Sequence, residues 1–194
     1  MTSVPVYFIT NRALVNEEKY FNIIKEASKH ENIKIILREK DLSDEEYKKL
    51  YCKVKKIVPN TEVIINSKLK VFNEVNEKTI QLSFKNFINL KNFNYNVGVS
   101  VHSIDEGILA AKKGAKYILA SHIYQTKCKE GLEPKGISFI KALRKKVKCE
   151  IIALGGIDTD NFKEVMNSGA DGVAVMSLLY KSDDIHNTIE KYKI

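Results

Sequence analysis

Eight short runs rich in β-branched residues recur along the chain, separated by longer amphipathic stretches. The runs are Val6–Thr10, Ile33–Leu37, Glu62–Ile65, Thr79–Leu82, Asn96–Val101, Tyr117–Ser121, Glu150–Leu154 and Gly172–Met176. Most are nearly all apolar instead of alternating, the pattern of strands covered by helices. Strands alternating with helices imply a parallel sheet with right-handed crossovers. Eight such units close on themselves. The expected fold class is therefore α/β, a (β/α)8 TIM barrel, with 1–194 as one barrel domain. With 194 residues the chain is slightly under the usual ~200-residue lower bound, so its loops must be short. A doubly wound open sheet is the competing architecture, but no glycine-rich dinucleotide signature follows the first run.

The intervening stretches read as helices. Glu17–Lys29 places Tyr20, Phe21, Ile24 and Ala27 on one face. Ser43–Val58 opens with Ser43 and Glu46 in capping-box spacing, and Ser103 precedes Ile104–Lys113 with Glu106 three residues on. Gly136–Val147, Asp160–Ser168 and Leu178–Tyr192 complete the later half. Lys68–Asn76 and Phe84–Phe93 are weaker and shorter.

Composition narrows the functional classes. Apolar residues are 44% and charged residues 29%, ordinary values for a soluble globular protein. No run approaches the ~18–20 consecutive apolar residues of a membrane helix. The opening Met1–Thr10 has neither a basic stretch nor a cleavage site, so a cytoplasmic location is expected. The net charge is +8, but the lysines, such as Lys48, Lys49, Lys53, Lys55 and Lys56, are spread over helix faces without interleaved aromatics. Solvated surfaces are the expectation, with no nucleic-acid or membrane partner. Cys52, Cys128 and Cys149 form an odd, unpatterned set, which argues against a disulfide framework and a zinc site.

In this fold the chemistry sits at the C-terminal ends of the strands. Those ends carry Thr10-Asn11-Arg12, Arg38-Glu39-Lys40, Asn66-Ser67-Lys68, Ser100 with His102, Ser121-His122, Gly155-Gly156 and Ser177. Loops after the last two strands form the usual phosphate cradle of such barrels, and glycine lets the backbone approach an anion. Here they are Leu154-Gly155-Gly156-Ile157 and Val175-Met176-Ser177. His122 is the candidate for proton transfer, because imidazoles titrate near neutrality; a hydrogen-bonded barrel residue is its other reading. Arg38 and Lys40 read either as ligand contacts or as an ion-pair cluster with Glu39. The polar loop Tyr124–Lys135, with Thr126, Lys127, Cys128 and Lys129, has the length of a lid. His30 and His186 fall on helix surfaces.

Several segments, in this order, resemble the thiamine phosphate synthase superfamily over essentially the whole chain. They are Tyr7-Phe8-Ile9-Thr10-Asn11-Arg12, Leu37-Arg38-Glu39-Lys40, Ile64-Ile65-Asn66, Gly98-Val99-Ser100-Val101-His102-Ser103, Gly155-Gly156-Ile157 and Gly169 through Ser177. Synthases of that superfamily carry Gly-Pro-Ile-Phe-x-Thr-x-Thr-Lys after the sixth strand. This chain has Ser121-His122-Ile123-Tyr124-Gln125-Thr126-Lys127-Cys128-Lys129 there, which looks more like the TenI branch of thiazole tautomerases. The resemblance places that branch's acid–base histidine on His122. Synthases also need Mg2+ for the pyrophosphate leaving group. Their two metal aspartates fall on Ser67 and on the acid-free stretch Leu82-Ser83-Phe84-Lys85-Asn86.

The resemblance therefore implies an isomerase with no metal and no cofactor. It would shift a proton to aromatise a carboxythiazole ethyl phosphate in thiamine biosynthesis, as a homodimer. His122 would shuttle the proton. Gly155, Gly156, Met176 and Ser177 would hold the phosphate with help from Thr126 or Lys129. Arg38, Lys40, Asn66 and Ser100 would face the rest of the substrate. Two alternatives stay open: a Mg2+-dependent thiamine phosphate synthase, and a non-catalytic thiazole phosphate-binding protein.

Overall fold

The computed structural model describes residues 2–126 and 131–194. Its parallel strands are β1 (Val6–Ile9), β2 (Ile33–Leu37), β3 (Val63–Asn66), β4 (Thr79–Ser83), β5 (Asn96–Val101), β6 (Tyr117–Ser121), β7 (Glu150–Leu154) and β8 (Gly172–Val175). They pair in chain order, and β8 returns to β1 to close a barrel. Val6 sits opposite both Ile33 and Val173. The expected (β/α)8 class is what the structure shows.

The apolar runs follow from a two-sided demand. Alternate residues of one strand enter different cores. Val6 and Phe8 of β1 face the helices, with Ile33, Ile35 and Leu37 of β2. Tyr7 and Ile9 join Ile36, Ile64, Tyr117, Leu119, Ile152 and Ala174 inside the barrel. The rings of Tyr7 and Tyr117 lie 5.1 Å apart. Tyr117 fills the space over Gly98, where an added Cβ would come within 2.1 Å of its Cζ.

The outer layer comprises α1 (Glu17–Ala27), α2 (Asp44–Ile57), α3 (Leu69–Glu74), α4 (Phe84–Ile88), α5 (Ile104–Lys112), α6 (Gly136–Arg144), α7 (Phe162–Asn167), α8 (Ser177–Lys181) and α9 (Ile185–Glu190). Ser43 and Glu46 form the full reciprocal capping box at α2, and the Ser103 side chain accepts from the Glu106 N–H at α5. The helix expected over Leu178–Tyr192 is instead two. Ser182 is extended, with ψ 134°. Its hydroxyl lies 2.8 Å from Thr188 Oγ1, and Asp184 starts α9 by accepting from the Asn187 N–H. Serine and aspartate side chains here compete with the helical backbone and win. No helix among the described residues is long and apolar enough to cross a membrane.

The ends of the chain are drawn together. Ser3 pairs with Lys193 in an antiparallel bridge, and Thr2 N donates to Ile194 O at 2.7 Å. His30 is not on a helix surface, as expected from sequence, but buried beyond α1. Its Nδ1 lies 3.2 Å from Glu190 Oε1, and its ring centroid is 4.7 Å from that of His186. Helix α9 folds back over α1 and covers it.

Two measurements test this packing. Gly98→Ala forces Tyr117 off its place and should cost about 1–3 kcal/mol in urea unfolding. Burial, reinforced by His186 and opposed by Glu190, holds the His30 imidazole below its ordinary value. The folded state therefore resists protonation that the unfolded chain accepts near pH ~6.5. Stability should be flat above that pH and fall below it, and His30→Gln should flatten the fall.

Candidate active site

The C-terminal ends of the strands form one rim, and a buried carboxylate organises its first third. Glu39, 3% exposed, follows β2. It accepts from Thr10 Oγ1 at 2.7 Å, from Tyr20 Oη at 3.0 Å and from the Arg12 N–H. Thr10 Oγ1 in turn accepts from the Arg38 N–H at 3.0 Å. Several donors aimed at one carboxylate offset the cost of burying its charge. The ion-pair cluster between Glu39 and Arg38 therefore does not form. Arg38, half-buried, has a guanidinium with no hydrogen-bond or ion-pair partner among the described residues. Lys40 is exposed beside it.

Helix-borne tyrosines tie down the neighbouring loops. Tyr47 of α2 donates to Leu37 O and accepts from the Asn66 N–H at 3.1 Å. Tyr180 of α8 accepts from the Asn11 N–H at 2.8 Å. Burial raises the pKa of Tyr20, Tyr47 and Tyr180 far above the ordinary phenol range, so each remains protonated. Asn66 ends β3 and donates from Nδ2 to Ser67 Oγ at 3.3 Å. Ser67 adopts φ 64°, an uncommon conformation outside glycine. Ser100 Oγ on β5 accepts from Gln81 Nε2 at 3.0 Å.

The far side of the rim holds His122 against the glycine loop. His122 directly follows β6 and is 6% exposed, and its Nε2 has no partner among the described residues. A Cβ placed on Gly155 would come within 2.4 Å of His122 Cβ. Gly155 and Gly156 have φ 105° and 67°, left-handed values that glycine tolerates. Three successive carbonyls of this loop are used. Leu154 O accepts from the Ile123 N–H, Gly155 O from the Tyr124 N–H, and Gly156 O from Asn161 Nδ2. The N–H groups of Gly156 and Ile157 have no acceptor among the described residues, nor do those of Ser177 and Leu178. Pairing of Leu154 with Ala174 puts Met176 and Ser177 in the loop next to Gly155-Gly156.

Thr126 is half-buried in the loop after β6. Lys129 and Cys128 lie outside the described residues. Tyr124 at the base of that loop donates to Glu164 Oε2 at 2.7 Å. Desolvation, with that carboxylate beside it, pushes its phenol up to about 12. The rim thus gathers His122, Gly155, Gly156, Met176 and Ser177 on one side. Arg38 and Lys40 follow β2, Asn66 ends β3 and Ser100 lies on β5. Sequence reasoning missed Glu39 as the anchor, the tyrosine tethers, Gln81 and Asn161. The available signal was a tyrosine at the inward position of α1 and of α2.

The model of the thiamine monophosphate synthase (TMP-TENI) family matches residues 6–179. The chain belongs to this family. A thiamine-phosphate synthase of Clostridium acetobutylicum is 27% identical over 187 residues, covering 93% of this chain and 89% of its own. Another, from Pyrococcus abyssi, is 28% identical over 194 residues, covering 97% and 92%. Among solved structures, a thiamine phosphate pyrophosphorylase from Pyrococcus furiosus superposes with TM-score 0.79 at 24% identity, covering 97% of this chain and 93% of that one.

These family relatives correct the expectation of a thiazole tautomerase. Near-full-length relatives carry the name of the synthase, so the isomerase reading, built on the stretch around His122 and on the missing acids at Ser67 and after Leu82, is set aside.

The synthase alternative calls for a magnesium ion, and the residues present do not fit one. Mg2+ favours carboxylate oxygens. On the side where it would sit, the rim offers the neutral groups of Asn66, Ser67, Gln81, Ser83 and Ser100. Ser83 Oγ already accepts from the Asn86 N–H, and the Glu39 carboxylate is fully engaged. Among the described residues no three His, Cys, Asp or Glu side chains gather as a metal site.

Tyr20→Phe tests the anchor. It removes a donor from a buried carboxylate and should cost about 1.5–3 kcal/mol in chemical denaturation.

Proposed function

We propose that this protein is a transferase of the thiamine-phosphate synthase type. It would join a thiazole phosphate to a pyrimidine carried as its diphosphate, releasing pyrophosphate. One observation carries the reading: backbone N–H groups with no acceptor among the described residues at Gly156 and Ile157 in one loop, and at Ser177 and Leu178, the first residues of α8, beside it. Amides that neither solvent-excluded backbone nor side chains satisfy suit the oxygens of a phosphate. The names of the full-length relatives support the same chemistry.

In this reading the Gly155–Ile157 loop and the start of α8, Met176–Leu178, hold the thiazole phosphate. Arg38 presents a guanidinium with no partner among the described residues, suited to bidentate contact with a second anionic group, and Lys40 adds charge at the rim. Asn66 and Ser100 line the side of β3 and β5, where neutral polar atoms suit a heterocycle. His122 contributes a buried, unpartnered Nε2 as a hydrogen-bonding group, and Thr126 and Lys129 assist from the loop after β6. Holding both partners on one rim turns their encounter into a local event.

A second reading is favoured by the missing carboxylates: a thiazole phosphate-binding protein without transfer activity. One assay separates the two. The protein is given both substrates, with and without Mg2+, and thiamine phosphate and pyrophosphate are measured by chromatography. Product formation supports the transferase. Thiazole phosphate binding without product supports the second reading, and neither binding nor product overturns both.

Arg38→Gln should weaken binding of the pyrimidine diphosphate by at least about tenfold, which is 1.4 kcal/mol, with thiazole phosphate affinity unchanged. Titration calorimetry reads both.

A further inference from the structure

Two consecutive glycines make a poor cradle unless something outside them holds their peptides still. Glycine ranges over both halves of backbone space, so a fixed Gly155-Gly156 loop needs restraint at each peptide plane. A trans peptide is flat, with its N–H opposite its C=O. Fixing a carbonyl therefore aims the next residue's N–H. Tyr124 N donates to Gly155 O at 2.9 Å, which aims the Gly156 N–H. The next plane is held by a side chain: Asn161 Nδ2 donates to Gly156 O at 2.9 Å, which aims the Ile157 N–H.

The Asn161 amide is itself locked. Its Oδ1 accepts from the Asp158 N–H at 3.0 Å. Asp158 Oδ1 accepts from the N–H groups of Asp160 and Asn161, at 2.9 and 3.1 Å. Only one amide orientation puts an acceptor towards the Asp158 N–H and a donor towards Gly156 O.

We propose that Asn161 is a positioning residue for the phosphate cradle, holding the Gly156–Ile157 peptide so that its N–H faces the ligand. This rests on the phosphate reading of the preceding section. Asn161 touches the loop and acts through it. Restraint set before the ligand arrives removes the ordering cost of binding.

The test uses inorganic phosphate as the probe and follows backbone amide resonances of wild type, Asn161→Ala and Asn161→Asp. Asn161→Asp keeps the acceptor for the Asp158 N–H but turns an oxygen, not a donor, towards Gly156 O. Both variants should raise the phosphate Kd tenfold or more and shrink the phosphate-induced shifts at Gly156 and Ile157. The rest of the amide spectrum should be retained. The loss in Asn161→Asp should persist at 1 M salt, where the Debye length is ~3 Å and plain repulsion is screened. A wild-type Kd in Asn161→Ala overturns the inference, even if its melting temperature falls. If Asn161→Ala does not fold, Asn161→Asp decides alone: a Kd that returns to the wild-type value at high salt overturns it. Wild type that binds no phosphate overturns the phosphate reading itself.

Discussion

Closure of the hydrogen-bonded ladder between β8 and β1 is the constraint on which the rest of the molecule depends. A closed ladder leaves no strand edge exposed, and it divides every strand into residues that face the helices and residues that face the axis. Phe8 and Tyr7, neighbours in the chain, are thereby sent into different cores. Closure also brings every strand's C-terminal end to one rim. The register of Leu154 against Ala174 then makes neighbours of two loops that lie twenty residues apart in the chain.

The rim is held by side chains speaking to backbone. A buried carboxylate gathers the loops after β1 and β2, and phenols on α1, α2 and α8 reach the same region from outside. Glu39 is spent on this task, which leaves the Arg38 charge beside it without a partner among the described residues. The β3 to β5 side offers amides and hydroxyls where a metal-dependent relative would need acids. Positive charge at Arg38 and Lys40 and neutral dipoles at Asn66 and Ser100 are what this side of the rim presents.

Much of the architecture was legible because burial on both faces writes itself as uninterrupted apolar runs. β2, β5, β6 and β7 begin and end where those runs do. The capping box of α2 and the serine cap of α5 were legible too, being local. What was not legible depends on distance in space. His30 reads as a surface residue until α9 is folded over it, and Leu178–Tyr192 reads as one helix until Ser182 finds Thr188. Arg38 and Glu39 look like an ion pair because they adjoin, yet the carboxylate turns to Thr10 and Tyr20. The reading of function erred by the same mechanism. It weighed the residues around His122 and the missing acids at Ser67 and after Leu82 above likeness to the synthases along the full chain.

The tyrosine tethers give the outer helices a part in defining the rim. Tyr20, Tyr47 and Tyr180 sit on α1, α2 and α8, yet their hydroxyls end on the strand ends and loops of the rim. Transplanting only the rim loops onto another barrel would leave these contacts behind. The portable unit is each loop together with the helix that carries its phenol, so in this protein loops and scaffold are not separable modules.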